Sequence, residues 1–312
     1  MDIFLICLNA VLPLLLIMLT GYIVRLLKLI TQDTVLKMNS LAFKIFLPAM
    51  CFMNIYDSDL SSLMNVKLVS FIIICVLVNF ILGYLYVKKF VPDNRQKGAV
   101  LQGTFRTNFL VTALPMARNL VGDSITEIVG VLLFIIVPVF NILSVIAMEI
   151  FSDKKIEVKK ILIDMLKNPL IESFIAVLIL KVFNIRLPKA IESVLGSFGS
   201  MASTYALFLV GAFLNFDSIK SNLKQVLTVT TLRLVIFPTI FLTLTVLMGF
   251  RGDEFVLLMG LFTSSVAVAA FTMTEQMGGD AQLAGNIVML TSALLPLTFF
   301  LWSLLFMKMG MF

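Results

Sequence analysis

A chain of 312 residues of which 60% are hydrophobic and only 13% charged, with mean hydropathy +1.06, lacks the polar surface to cover itself in water. It reads as an integral membrane protein. It has no histidine, which excludes imidazole metal sites, Ser-His-Asp and Cys-His catalysis, and histidine proton relays. The net charge of +6 does not imply nucleic acid, because the basic residues fall in short loops where they set orientation in a bilayer.

About 20 apolar residues make one crossing, and Gly, Pro and charge clusters punctuate them. The first expected helix covers 3–26; it is too long for a signal-peptide core and has no basic residue before it, so it reads as a retained span. The second, 34–56, carries Lys44 in its apolar run, and the third covers 67–90. The fourth, 98–120, holds Arg106, Thr107 and Asn108 in its middle, with Pro115 further on. In the fifth, 124–150, Asn141 follows Pro138 by about one turn; the pair either lines a cavity or belongs to a packed kink. The most charged stretch, SDKKIEVKK at 152–160, separates a first half (1–151) from a second (162–312), with 152–161 as a short cytoplasmic linker. The sixth helix, 162–184, contains Glu172 one turn after Asn168 and Pro169, and the seventh covers 190–216. The eighth, 222–250, carries Arg233; the ninth, 254–277, contains Thr263, Ser264 and Ser265; the tenth, 281–308, contains Pro296. Cys7, Cys51 and Cys75 stand apart within spans and read as packing residues, so no metal site, disulfide or cofactor is expected.

The segment 103–123 (GTFRTNFLVTALPMARNLVGD) lies on 260–280 (GLFTSSVAVAAFTMTEQMGGD) without a gap. The two match at Gly103/Gly260, Phe105/Phe262, Val111/Val268, Ala113/Ala270, Met116/Met273, Gly122/Gly279 and Asp123/Asp280. Each copy is apolar enough to enter a bilayer yet has hydroxyl or amide residues at its centre. Paired interrupted helices of this kind expose free backbone groups at mid-membrane depth and suggest a carrier; the alternative is that small and polar residues serve helix packing. Sorted by side, fourteen loop cations gather on one face and seven on the other, so the positive-inside rule puts both termini outside. Five spans per half then make the halves an inverted repeat.

Three of the 24 cations, Lys44, Arg106 and Arg233, remain inside apolar runs, where each costs roughly 2.5 to 3.5 kcal/mol unless it faces a cavity or a partner. Only Glu172 is comparably placed among the acids, so the interior carries a positive excess that favours an organic anion. Arg106 lies two residues before Asn108, where its guanidinium can grip a carboxylate in two parallel hydrogen bonds. With Thr107, Asn108, Ser264 and Ser265 it forms the expected anion site. Lys44 and Arg233 either snorkel, pair with Glu172, or supply long-range positive potential. Glu172 is either a proton-binding coupling group or a counter-ion.

These residues carry a resemblance. Asn39 followed by Phe43, Phe46 and Leu47-Pro48, Arg106-Thr107-Asn108-Phe109 with Leu114-Pro115, and Asn168-Pro169 together resemble the auxin efflux carrier family of permeases over nearly the whole chain. The resemblance implies an all-helical membrane fold of ten helices in a 5+5 inverted repeat, with discontinuous fourth and ninth helices crossing at the middle. It also implies a carboxylate bound at that crossing, with Asn108 as the crossover asparagine and Pro115 marking the helix break. The ninth span departs from the pattern, offering Ser265 where relatives have proline. The expected function is a secondary transporter of a small mono- or dicarboxylate such as malate in the cytoplasmic membrane. The alternatives are an H+- or Na+-coupled symporter of another solute and an efflux carrier of auxin-like aromatic acids; an intramembrane enzyme lacks catalytic groups. The expected partners are the anion, the bilayer and a coupling ion, with a homodimer the candidate assembly.

Overall fold

The computed structural model describes residues 3–56, 65–122, 125–151, 167, 169–213 and 222–312. The linker 152–161, Asp123 and Asn168 lie outside these residues.

Hydrophobic runs without internal partners for their backbone groups must coil, because only helices satisfy those groups within one segment. Accordingly, the described residues are mostly helical and contain no β-strand, only a single isolated bridge. In chain order the elements are α1 (Ile3–Leu26), α2 (Gln32–Leu41) running through a π-helical turn (Ala42–Phe46) into α3 (Leu47–Tyr56), and α4 (Val66–Phe90). Next come α5 (Asn94–Phe105), a second π-helical turn (Phe109–Ala113) leading into α6 (Leu114–Val121), and α7 (Ile125–Glu149). The second part has α8 (Pro169–Val182), α9 (Lys189–Phe213), and α10 (Leu223–Thr231) continuing through a third π-helical turn (Leu232–Ile236) into α11 (Phe237–Leu247). It ends with α12 (Gly252–Thr263), α13 (Val268–Gln276) and α14 (Ala281–Lys308).

Helix ends are set by local chemistry. The Asn65 side chain accepts from the Leu68 N–H at 3.1 Å to start α4, and Asp280 accepts from the Leu283 N–H at 2.9 Å to start α14. Lys88 and Lys89 close α4, where cations suit the negative end of the helix dipole. Pro13, Pro138 and Pro296 all lie inside continuous helices, as membrane helices tolerate.

Among the described residues, six helical runs are long and apolar enough to cross a membrane: Ile3–Leu26, Gln32–Met53, Val66–Phe90, Lys189–Phe213, Leu223–Leu247 and Ala281–Lys308. Their outer faces present Ile74, Leu85, Leu297 and Leu301, each more than half exposed. Such apolar exposure suits lipid rather than water.

The helices pack as two groups. In one, α1 runs along α9, α9 lies on α3 and α3 on α8. The approach of α1 to α9 is close: a Cβ on Gly21 would stand 1.9 Å from the Phe208 carbonyl oxygen, and one on Gly211 1.8 Å from that of Met18. Only glycine permits this contact, the usual device where lipid supplies no hydrophobic drive between helices. In the other group, α4, α7, α10, α11 and α14 surround the short helices α5, α12 and α13. Residues Phe255 to Thr263 are buried without exception, as are Gly98 to Phe105. A helix buried all round forms the centre of its bundle.

Candidate functional site

Two helical segments break at that centre. The first leaves helical conformation at Arg106 (φ −77°, ψ 106°), directly after α5, and resumes at Phe109. The second leaves it at Ser264 (φ −61°, ψ 153°) and resumes at Val268, so the ninth expected helix is interrupted despite carrying serine where a proline was the pattern. The first break does not fall at Pro115. That residue sits at the start of α6, within the helical part, where a proline's missing N–H costs little.

The two extended stretches face each other as an antiparallel bridge between Thr107 and Val266. The Asn108 N–H donates to the Ser265 carbonyl at 2.8 Å, and the Ala267 N–H to the Arg106 carbonyl at 3.1 Å. Each break therefore satisfies backbone groups that the other would leave bare, which explains how non-helical chain persists in a dry interior. The Val266 N–H is met by Thr291 Oγ1 from α14 at 3.2 Å. The Thr107 hydroxyl donates to the Leu261 carbonyl at 3.3 Å.

Arg106 is 6% exposed. Its Nη1 donates to Gln102 Oε1 at 3.1 Å and to the Met273 sulfur at 3.4 Å, and its Nη2 to Asn141 Oδ1 at 2.9 Å. Gln102 is oriented in turn by Nε2 donating to Thr274 Oγ1 at 3.2 Å. All these acceptors are neutral, and among the described residues Arg106 forms no ion pair. Beside it, Asn108 is 8% exposed and its Nδ2 has no hydrogen-bond partner among the described residues. Burying an amide donor unpaired costs about 1 to 3 kcal/mol, a cost that a bound acceptor would remove. Thr112, one turn beyond Asn108, brings its hydroxyl to 3.2 Å from Ser264 Oγ and 3.4 Å from Ser265 Oγ.

Of the residues expected at the site, Arg106, Thr107, Asn108, Asn141, Ser264 and Ser265 come together. Arg233 joins them in a different role: it is 2% exposed, and its guanidinium donates to backbone carbonyls. Lys44 and Glu172 do not join. Lys44 lies exposed on the π-helical turn after α2, and Glu172 lies exposed in the first turn of α8. Neither Lys44 nor Arg233 pairs with Glu172 among the described residues. Packing rotates Lys44 outward and Arg233 inward, although both look alike as isolated cations in apolar sequence.

Gln102, Thr112, Met273 and Thr291 were not expected at the site. Gln102 and Thr112 stand four residues before Arg106 and after Asn108, a helical spacing that marks them as neighbours. Met273 and Thr291 arrive from other helices, with no local signal.

A cavity of about 610 Å³ opens between α3, α6 and α9, lined by Met50, Met53, Leu114, Pro115, Arg118, Asn119, Ser200 and Ser203 together with Gly122, Gly196 and Gly199. It touches the helix that Asn108 begins.

The model of a family described as "Membrane transport protein" matches residues 6–303. The chain belongs to this family, that of the auxin efflux carriers. A relative 21% identical over 305 residues, covering 95% of this chain and 97% of its own length, is an uncharacterized transporter of Methanothermobacter thermautotrophicus (strain Delta H). The protein is therefore a membrane transport protein and not an enzyme.

Proposed function

We propose that this permease carries a small organic anion across the cytoplasmic membrane by alternating access, binding it where the two interrupted segments meet. The observation that carries this reading is the pairing of Arg106, held by neutral acceptors, with the unpartnered Asn108 Nδ2 beside it. An anion's oxygens would accept from both.

Charge supports the same reading. Two helical segments begin at the meeting point, at Phe109 and Val268, and each start carries roughly half a positive elementary charge. With Arg106 that makes about two positive charges, a match for a dicarboxylate; malate is the first candidate and a monocarboxylate the second. Ser264, Ser265, Thr107 and Thr112 supply hydroxyls at the same place. The binding geometry is that of a helix start receiving an anion.

The architecture proposed with it is ten crossings in two oppositely oriented halves of five, 1–151 and 162–312, joined by a cytoplasmic linker, with both termini outside. The discontinuous fourth and ninth helices are then the crossover pair. The gap-free echo of 103–123 in 260–280 supports this arrangement.

The test is counterflow of radiolabelled malate and monocarboxylates in proteoliposomes holding the purified protein. Uptake that survives both Arg106→Ala and Asn108→Ala removes these residues from the mechanism. Uphill uptake that stops when a proton or sodium gradient is collapsed would assign coupling to that ion.

A further inference from the structure

Arg233 sits on the π-helical turn between α10 and α11 and makes one contact pattern that transport of an anion does not by itself require. Its Nε donates to the Ser264 carbonyl at 2.8 Å, its Nη1 to the Thr104 carbonyl at 3.2 Å and its Nη2 to the Leu261 carbonyl at 3.5 Å. Thr104 is in the last turn of α5 and Leu261 in the last turn of α12. One guanidinium therefore ties together the carboxy-terminal ends of both interrupted helices.

These oxygens lack intrahelical partners for a local reason. In a continuous helix the Thr104 carbonyl would accept from the Asn108 N–H, but that N–H donates to Ser265 across the crossing. The carbonyls at a helix end carry the negative half of the dipole, and left bare in a dry interior they would be expensive. Two neutral donors assist Arg233. Asn79 Nδ2 donates to the Thr104 carbonyl at 3.2 Å, and Thr107 Oγ1 to that of Leu261 at 3.3 Å. Of the three, Arg233 alone reaches both helices and brings a charge. On this turn Arg233 is buried while Val235 and Ile236 stay exposed.

We propose that Arg233 is the positioning residue of the crossing: a fixed cation that clamps the two helix ends in register and cancels their negative dipoles. The field around Arg106 and Asn108 is then left to the two positive helix starts. The clamp stands on geometry alone; its consequence for affinity rests on the proposed anion transport.

Two measurements on the full-length purified protein test it. The first joins Thr107→Cys and Val266→Cys, whose bridged backbones stand about 4.5 to 5.5 Å apart, within disulfide reach, and quantifies the 107–266 disulfide by mass spectrometry. The yield is expected to be highest with Arg233, lower with Arg233→Lys, whose single ammonium cannot span three carbonyls, and several-fold lower with Arg233→Gln. Equal yields in the three overturn the clamp. Should the Gln variant not be monodisperse on gel filtration, Arg233→Lys decides alone, equality with the parent being the overturning result. The second measures labelled malate uptake. Arg233→Gln is expected to raise KM roughly five- to tenfold, the scale of coupling between neighbouring sites, with Vmax less affected and KM largely restored in Arg233→Lys. An unchanged KM overturns the electrostatic role. A parent protein that takes up no malate defeats the substrate reading, while the disulfide yields still decide the clamp.

Discussion

The Asn108 N–H donates to the Ser265 carbonyl at 2.8 Å, joining the first helix break to the second. This bond makes the site a property of neither half alone. Each interrupted segment supplies an extended stretch that cannot pair with itself, and the two complete each other in the buried interior.

Replacing Asn108 by Ala separates binding from folding. Its Nδ2 has no partner to lose, so the melting temperature should stay within about 2 °C of the parent. Malate uptake should nonetheless fall tenfold or more, the loss of a hydrogen bond of about 1.5 to 3 kcal/mol to a charged acceptor. Differential scanning fluorimetry beside proteoliposome uptake checks both halves of this expectation.

Arg106→Ala should behave differently. It is expected to abolish uptake and also to leave Gln102 Oε1 and Asn141 Oδ1 without their donor, at a cost of about 1 to 3 kcal/mol of stability for a buried group. Arg106→Lys retains charge without the fork, so uptake should be weakened but present. Equal melting temperatures for Arg106→Ala and the parent would contradict the hydrogen-bond geometry around Arg106.

The α1–α9 contact predicts a steric pattern. Gly21→Ala and Gly211→Ala would each drive a methyl into backbone carbonyls; overpacking of this kind costs about 1 to 3 kcal/mol or more. Gly196→Ala, on the same helix α9 but with nothing within 4 Å of its Cβ position, should leave thermal stability unchanged. Fluorescence-detected gel filtration after a heating series ranks the three.

Glu172 is exposed in the first turn of α8. Glu172→Gln should therefore leave malate uptake and its pH dependence unaltered. A lost response to an imposed proton gradient in this variant would restore Glu172 as a coupling group.

Composition and the spacing of apolar runs decided that this chain lives in a bilayer, because both depend on bulk hydrophobicity. The echo between 103–123 and 260–280 pointed to polar residues at the centre of both segments, where the helices are interrupted, but Pro115, read as the mark of the first break, lies within helix. Asn141 could be named beside the site on its turn spacing alone, but its bond to Arg106 could not. The roles of the cations inside apolar runs were illegible. Lys44 and Arg233 share the same sequence signature, and what separates them is the rotation of each helix, which packing sets. Arg233 bonds to backbone carbonyls, and a carbonyl carries no side-chain identity that a sequence can display. The order of residues thus determined where polar chemistry enters the membrane. Which groups meet there was decided by tertiary packing, because only the approach of distant helices determines which donors find which orphaned acceptors.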